Sequence, residues 1–288
     1  MLALAAPRRV RAIASQWRRS LQKAYVDRFF AFTEDDFAAA LRGLGIAEGD
    51  VLCVHAAFEK FSGFQGNVAD AIRVLQEVVG TRGGLMMPTQ PFLSSTIDYV
   101  KSHPVTDLAR SPSYMGFMSE IMRRTAGVVR SIHPTHPVAV WGDATSRLVG
   151  RDWEARTPCG AGTAYQRLLD CEGKILFLGT GIQPMTFYHY VEEVLEPFLP
   201  ESPFTTEEFE LHTRDKEGCT YESRMRLHAP ELSARRRMNL LSPELKKRGQ
   251  WREVRIGRLG VIVLEAADVL GACRAMALEQ RFCYLPES

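Results

Sequence analysis

The chain has 288 residues, a formal net charge of +2 and a hydrophobic fraction of 45%, which together allow a large α/β core. The near-neutral charge and the lack of RNA- or DNA-binding motifs argue against a nucleic-acid partner. The six cysteines show no short paired spacing and no apolar run approaches the roughly 18 residues that cross a bilayer, so we expect a cytoplasmic protein without a disulfide framework.

The first predicted element is a basic amphipathic helix over residues 8–30. The apolar residues of this helix fall on one stripe, namely Val10, Ile13, Trp17, Leu21 and Tyr25. We expect the helix to pack on the rest of the protein, although such helices also rest on anionic membrane surfaces. The charges follow the apolar opening "MLALAA" instead of preceding it, which does not predict a signal peptide. Residues 1–32 are therefore set apart from a single predicted domain over residues 33–288.

A strand, a helix and a second strand follow in the order of a βαβ unit. Thr33 and Asp36 form a capping pair that opens a helix, which ends at the glycines of "LRGLGIAEGD". The apolar run "DVLCVHAAF" predicts a buried strand, "NVADAIRVLQEVVG" a helix and "GGLMMPTQ" the next strand. This order predicts an α/β sheet with parallel members.

The second half of the chain adds further elements to this sheet. "KILFLGTG" predicts a third strand, and "TFYHYVEEVLEPF" predicts the helix after it. Residues 203–250 are charged and lack a clear period, so they predict an insertion or antiparallel additions. "LGVIVLEA" and "DVLGACRAMALEQR" predict a last strand and helix.

Polar residues cluster where the predicted strands end, which is where ligands gather in open α/β sheets. In the helix after the third strand, Thr186, His189 and Glu192 recur every three residues and share one face, with Thr186 placed to cap the helix. A carboxylate one turn from an imidazole holds its tautomer and raises its basicity, as a general base requires. The alternative is a surface histidine on an acidic helix.

A metal site is a further interpretation of "HYVEE", because His and Glu at turn spacing can share a metal. The nearest additional histidines, His133 and His136, lie in a segment that Pro134 and Pro137 hold extended, and the sequence does not fix its geometry. The ligand set is incomplete, so we predict no metal.

Covalent catalysis has little support in the sequence. The G-x-S-x-G and P-loop motifs do not occur. Cys159 in "TPCGAG" is a candidate acyl-carrying nucleophile, but a cysteine beside proline in a loop is more often inert. Direct transfer without a covalent enzyme intermediate is the simpler prediction.

Three stretches in order resemble the aminoglycoside 3-N-acetyltransferase family, which transfers an acetyl group from acetyl-CoA to an aminoglycoside amine. They are "GDVLCVHAAFEKFSGFQGNVADAIRVLQEVVGTRGGLMMPTQ", "DLARSPSYMGFMSEIMRRTAGVVRSIHPTHPVAVWG" and "PCGAGTAYQRLLDCEGKILFLGTGIQPMTFYHYVEE". The resemblance runs from about Thr33 to the last helix. It implies a three-layer α/β/α sandwich with a mixed, partly parallel central sheet.

The resemblance also implies roles for individual residues. His189 and Glu192 match the T-x-x-H-x-x-E motif of the family and would be the catalytic pair, with His133 as a candidate oxyanion donor. The residues implied in acetyl-CoA binding are His55, Ala56, Ala57, Phe58, Thr89 and Ser131. Those implied in binding the acceptor amine are Thr186, Glu193 and Asp143. No metal cofactor is implied.

The sequence departs from the family at Ala56, Ala57 and Pro137, where family members usually carry serine. The leading hypothesis is an acetyl-CoA-dependent N-acetyltransferase acting on an aminoglycoside or another amino-sugar-like small molecule. The alternatives are an N-acyltransferase of surface-polysaccharide or natural-product assembly, a CoA-binding protein without catalysis, and a zinc hydrolase. A homodimer and a membrane contact of the N-terminal helix are left open.

Overall fold

The computed structural model describes residues 17, 25–26 and 28–286. Most of the amphipathic helix predicted over residues 8–30 lies outside the described residues. Within them, no helix is both long and apolar enough to span a membrane.

The described residues form strands and helices that alternate through much of the chain. The strands are β1 (Val51–Ala56), β2 (Gly84–Pro88), β3 (Val105–Asp107), β4 (Val129–Arg130), β5 (Val138–Trp141), β6 (Lys174–Leu178), β7 (Phe204–Arg214), β8 (Thr220–His228), β9 (Arg252–Ile256) and β10 (Leu259–Glu265). The α-helices are α1 (Glu34–Gly43), α2 (Val68–Val79), α3 (Thr96–Ser102), α4 (Phe117–Met122), α5 (Thr145–Leu148), α6 (Ala164–Asp170), α7 (Tyr188–Leu195), α8 (Pro230–Arg235), α9 (Ser242–Lys247) and α10 (Ala266–Leu278).

Seven strands form a mixed central sheet in the order β4-β5-β2-β1-β6-β10-β9. The middle strands β2, β1 and β6 are parallel, whereas β5 and β10 pair antiparallel to β2 and β6. Because α2 connects β1 to β2, the predicted βαβ unit is confirmed. The carboxyl ends of the three parallel strands therefore meet at one edge of the sheet.

Helices cover both faces of this sheet. Along β1, Val51 and Cys53 face one apolar cluster, and Leu52 and Val54 face the other, because successive side chains of a strand point to opposite faces. Residues of α6, α7, α9 and α10 belong to the first cluster, and residues of α1, α2 and α4 to the second. The three-layer α/β/α sandwich is confirmed, and the double burial explains the continuous apolar pattern of β1.

A second, three-stranded sheet has the order β3-β7-β8. Its β7 and β8 pair antiparallel, which confirms the antiparallel additions predicted within residues 203–250. Leu211, Met225 and Leu227 of this hairpin pack against Tyr99 and Val100 of α3 in a small apolar cluster. The packing fixes the carboxyl end of β8 near the edge of the central sheet where the parallel strands end.

The helix termini match the sequence prediction in one case and differ in another. Thr33 and Asp36 form the predicted capping box of α1. Thr186 does not cap α7: the helix begins at Tyr188, and the residue before it makes no side-chain cap hydrogen bond. The Thr186 carbonyl instead accepts from the His189 amide at 3.0 Å, so a tight turn leads into α7.

Candidate active site

Two adjoining cavities open where the parallel strands end. The larger, of about 370 Å³, is lined by His136, His189 and His228, and we call it the histidine cavity. The smaller, of about 240 Å³, is lined by the ends of β1 and β2, and we call it the strand-end cavity. Met115 and Pro184 line both. A ligand that occupies both cavities would therefore reach from the strand ends to the imidazoles.

His189 and Glu192 form a hydrogen-bonded pair in the first turns of α7. The Nδ1 of His189 lies 2.8 Å from Oε2 of Glu192, as their i, i+3 spacing allows. The Glu192 side chain has no exposed surface, whereas that of His189 is 16% exposed. An ionised carboxylate only accepts hydrogen bonds, so Nδ1 carries the proton and Nε2 the lone pair. This is the tautomer of a general base whose ring lines a cavity.

Arg236 and Tyr284 also hold the Glu192 carboxylate, and Nη2 of Arg236 lies 3.0 Å from Oε2, the oxygen that His189 contacts. The Nε and Nη2 of Arg236 donate to Oε1 of Glu192 at 3.0 and 2.8 Å. The Tyr284 hydroxyl donates to the same oxygen. The buried carboxylate therefore has charged and neutral donors on both of its oxygens, as a buried charge requires.

Burial and charge set the ionisation of this group. Burial and then Arg236 lower the pKa of His189, against the opposing effect of Glu192. Burial raises the pKa of Glu192, but Arg236 and His189 outweigh it and hold that pKa below its ordinary value. At neutral pH the imidazole is therefore neutral and the carboxylate ionised, which are the states of a base and the group that orients it.

The histidine cavity brings together three imidazoles from distant parts of the chain. The His189 ring lies 4.0 Å from that of His228 and 5.9 Å from that of His136, measured between ring centroids. Burial lowers the pKa of both His136 and His228 well below the ordinary value. The sequence placed His136 in a proline-locked segment without fixing its geometry; the structure places it beside the catalytic candidate.

His133 has a different environment from the one expected of an oxyanion donor. Its side chain has no exposed surface, and it lines neither cavity. Its Nδ1 accepts from the amides of Thr135 and His136 at 3.1 and 2.9 Å. Burial lowers the pKa of His133 to about 3. The ring shapes the loop that carries His136, and its Nε2 is buried without a hydrogen-bond partner. Its role as an oxyanion donor stays a prediction.

Thr89 and Ser131, implied in CoA binding, are fully buried and line neither cavity. The Thr89 hydroxyl donates to the Pro137 carbonyl at 2.8 Å. The Ser131 hydroxyl accepts from the Val138 amide at 3.0 Å. The Thr89 hydroxyl also accepts from Nε of Arg130 at 3.1 Å, so both side chains bond to protein groups at the start of β5 and beside it.

The four residues at the end of β1 divide into two groups. His55 and Ala56 line the strand-end cavity. The His55 ring stacks on Phe177 at 5.3 Å, and burial lowers its pKa to about 4. Ala57 and Phe58 do not line that cavity, because the Ala57 amide donates to β6 and the Phe58 ring packs among other phenylalanines.

The three residues implied in acceptor binding are not together. Thr186 lines the histidine cavity. Glu193 points away from it, because adjacent helical residues diverge, and its carboxylate accepts from the Thr157 hydroxyl. Asp143 follows β5, which runs antiparallel to β2, so it lies at the amino ends of the parallel strands, where its amide donates to the Thr81 carbonyl. Glu193 and Asp143 are thus corrected to positions outside the histidine cavity.

Cys159 is not placed to act as a nucleophile. Its side chain is 1% exposed and lines neither cavity. Burial raises the pKa of its thiol well above the ordinary value, so the thiol stays protonated.

The sequence reasoning missed His228, Arg236 and Tyr284. They come from a charged stretch without periodicity and from the chain end, and they meet α7 only in the fold. No local spacing signals the contacts. The one usable hint is that a histidine ends the strand-like run "YESRMRLH", because strand ends carry ligand-binding residues.

A comparison with known protein families matches most of the chain to one family. The family model described as aminoglycoside 3-N-acetyltransferase matches residues 53–277. The chain belongs to this family. The matched region contains the end of β1 and all of α7, and so it includes His55, His189 and Glu192.

Individual relatives in the family match part of the chain. Aminoglycoside N(3)-acetyltransferase IX of Micromonospora chalcea is 30% identical over 170 residues, which are 54% of this chain and 60% of that protein. Aminoglycoside N(3)-acetyltransferase III of Serratia marcescens is 27% identical over 174 residues, which are 56% of this chain and 64% of that protein. The chain thus matches less than two thirds of the length of these relatives.

Solved structures share the fold over nearly the whole described chain. The aminoglycoside acetyltransferase AAC(3)-Xa has a TM-score of 0.75 and 21% identity, covering 91% of this chain and 99% of its own. AAC-IIIb, solved as a binary complex with CoASH, has a TM-score of 0.71 and 21% identity, covering 88% and 99%. At these identities the similarity establishes the α/β/α architecture.

Proposed function

We propose that the protein transfers an acetyl group from acetyl-CoA to a primary amine of an aminoglycoside or another amino sugar. The amine nitrogen attacks the thioester carbonyl, a C–N bond forms and the C–S bond breaks. His189 accepts the proton of the attacking amine at Nε2 and returns it to the departing CoA sulfur. The observation that carries the proposal is the buried Glu192 carboxylate, which holds a neutral His189 at the wall of a cavity.

The two cavities suit two substrates. The proposal assigns the strand-end cavity, beside His55 and Ala56, to the acyl end of acetyl-CoA and the histidine cavity to the acceptor. Membership of the acetyltransferase family supports the donor, as does the related AAC-IIIb with its bound CoASH. Direct transfer needs no enzyme nucleophile, in keeping with the buried thiol of Cys159.

A second acceptor class has support in the charge of the histidine cavity. A related structure, AAC-VIa, is bound to sisomicin, and the family acts on aminoglycosides, which carry several amines. Among the described residues, however, those lining the histidine cavity include Arg236 and no carboxylate. A polycation gains little from such a wall. This favours an amino sugar with a single amine, as used in surface-polysaccharide or natural-product assembly.

The experiment is an acceptor screen with acetyl-CoA as donor and a chelator present throughout. Release of the CoA thiol is measured with aminoglycosides, free amino sugars and nucleotide-linked amino sugars, and the acetylated product is identified by mass spectrometry. We expect acetylation of at least one amine in the absence of metal. Thiol release that is independent of every acceptor, with no acetylated product, would contradict the proposal.

A further inference from the structure

The histidine cavity contains more ligating groups than proton transfer needs. His136, His189 and His228 each offer one ring nitrogen, and these nitrogens all lie within 4.8 Å of one another. They come from the loop before β5, from α7 and from the end of β8. A base acting with one orienting carboxylate does not require two further imidazoles.

The hydrogen bonds of His136 and His189 leave one nitrogen of each ring for a ligand, and His228 offers a further one. Glu192 occupies Nδ1 of His189 at 2.8 Å. The Thr135 hydroxyl lies 2.9 Å from Nδ1 of His136 and can accept its proton, which leaves the lone pair on Nε2. The Nε2 of His228 is buried and has no hydrogen-bond partner. Buried polar atoms usually have a hydrogen-bond partner, so this unpartnered nitrogen is available to a ligand.

We propose that His136, His189 and His228 bind a divalent cation of the zinc class, and that this cation inhibits the enzyme. Imidazole nitrogen suits Zn²⁺, and three protein ligands with one open position form a common tetrahedral arrangement. The Glu192 carboxylate behind His189 is the outer-shell group that usually orients a metal-binding imidazole.

The distances require only side-chain adjustment. A tetrahedral zinc with Zn–N bonds of about 2.0–2.1 Å places its ligand nitrogens about 3.4 Å apart. The three nitrogens, now within 4.8 Å of one another, come to that spacing by rotations of rings that line an open cavity. The fourth position then faces the cavity, where water or the acceptor amine can reach it.

Inhibition follows from the atom that the cation occupies, and this part rests on the proposed function. Nε2 of His189 is the site that accepts the amine proton, and a nitrogen lone pair serves either a proton or a metal. The cation therefore competes with the amine proton for Nε2 of His189, and it is not a cofactor of acetyl transfer.

The binding test uses the metal-free full chain titrated with Co²⁺, followed by its visible d–d absorption, and then displaced by Zn²⁺. We expect one Co²⁺ per chain in a tetrahedral environment. His136→Ala and His228→Ala should each weaken binding at least about tenfold, since even outer-shell losses cost ~10–100-fold. His228→Phe keeps a planar aromatic ring without a ligand atom and should weaken Co²⁺ binding equally, which separates the loss of the ligand from the loss of packing.

The matched control is His212→Ala, which removes a half-exposed histidine of β7 that has a Glu222 neighbour at 4.0 Å and does not line the histidine cavity. It should bind Co²⁺ as the wild type does. Absence of a tetrahedral Co²⁺ spectrum, or equal affinities in wild type and both His228 variants, would overturn the site.

The inhibition test measures the Zn²⁺ concentration that halves turnover. In His228→Phe this concentration should rise by the same factor as the dissociation constant for Zn²⁺. Turnover that is unchanged when Zn²⁺ is bound would refute inhibition. The spectroscopic readout involves no acetyl transfer. If the protein binds Co²⁺ through these histidines but acetylates no acceptor, the cation site stands and the proposed function fails. If it acetylates an acceptor but does not bind Co²⁺, the proposed function stands and the cation site fails.

Discussion

The His189 side chain combines two properties that ordinarily oppose each other. A carboxylate neighbour raises the basicity of an imidazole, whereas burial and a nearby cation lower it. Here burial and Arg236 lower the pKa of His189, and Glu192 raises it. The result is a ring with a fixed tautomer that stays neutral below the usual pKa of histidine, so it remains available as a base over a wide range of pH.

The first prediction concerns the loss of this base. An ammonium must lose a proton before it attacks a thioester, and a positioned base contributes ~10²- to 10⁴-fold. We expect His189→Ala to lower kcat by at least about a hundredfold while CoA affinity barely changes. Raising the pH should partly restore the variant, because more of the acceptor amine is then neutral. The measurement is kcat and KM against pH, alongside CoA binding.

His212→Ala is the control for this variant, because it also removes a histidine near a glutamate but at a half-exposed position in β7. Its kinetics should match the wild type. Near-normal turnover of His189→Ala on the true acceptor would show that another group takes the proton.

The second prediction concerns Arg236, which we propose positions the His189–Glu192 pair through its contacts with Glu192. Its guanidinium helps to lower the pKa of His189. In Arg236→Gln this influence is gone, so the pKa of His189 should rise and more of the base should be protonated at a given pH. The acid limb of kcat/KM should therefore move to higher pH, and Arg236→Lys, which keeps the charge, should move it less. An unchanged pH profile in Arg236→Gln would leave Arg236 with a purely structural role.

At this scale the sequence predicts the contacts that are local. His189 and Glu192 are three residues apart, so helical geometry alone brings them together. Arg236 and Tyr284 lie 44 and 92 residues from Glu192, and nothing in their neighbourhoods indicates that contact. Glu193 shows the complementary error, since an acidic side chain one position along a helix faces a different direction.

The elements that build the site differ in how strongly their own sequence specifies them. Helix α2 is capped by Asn67, whose side chain accepts from the amides of Ala69 and Asp70, and its apolar face packs on the sheet. Helix α7 has no side-chain cap and depends on a turn and on buried contacts. This explains why the boundaries of α2 follow from the sequence, whereas those of α7 shift by two residues from Thr186.

The third prediction tests the cap of α2. Asn67→Ala should lower the free energy of unfolding by about 1 kcal/mol, because an amide of the first turn loses its acceptor. Asn67→Gly should lower the free energy of unfolding by only a few tenths of a kcal/mol (~0.3), since glycine is itself tolerated at the N-cap. Urea denaturation checks both values. Turnover should not change, because Asn67 lines neither cavity, and equal costs for Ala and Gly would exclude capping as the cause.

At the scale of the whole molecule, the mixed sheet decides which strand ends reach the site. The apolar runs and the βαβ order predict the parallel strands correctly. They do not reveal that β5 runs against β2, and this direction carries Asp143 to the amino-terminal edge. Likewise, the β7–β8 hairpin is predictable as an antiparallel addition, but its delivery of His228 to the cavity depends on packing against α3.

The last prediction concerns the part of the chain that binds acetyl-CoA. The family match begins at residue 53, and we propose that residues 33–288 form one domain that holds both cavities. Deleting residues 1–24 should therefore leave CoA binding intact. A ligand at a hundredfold excess over its Kd stabilises the folded state by about 2.7 kcal/mol. For a protein of this size we expect CoA to raise the Tm by about 4–5 °C, to the same extent in the full and the shortened chain. ATP, which lacks the pantetheine arm, is the control and should shift the Tm less. A shortened chain that folds but no longer responds to CoA would place part of the binding site in the N-terminal segment.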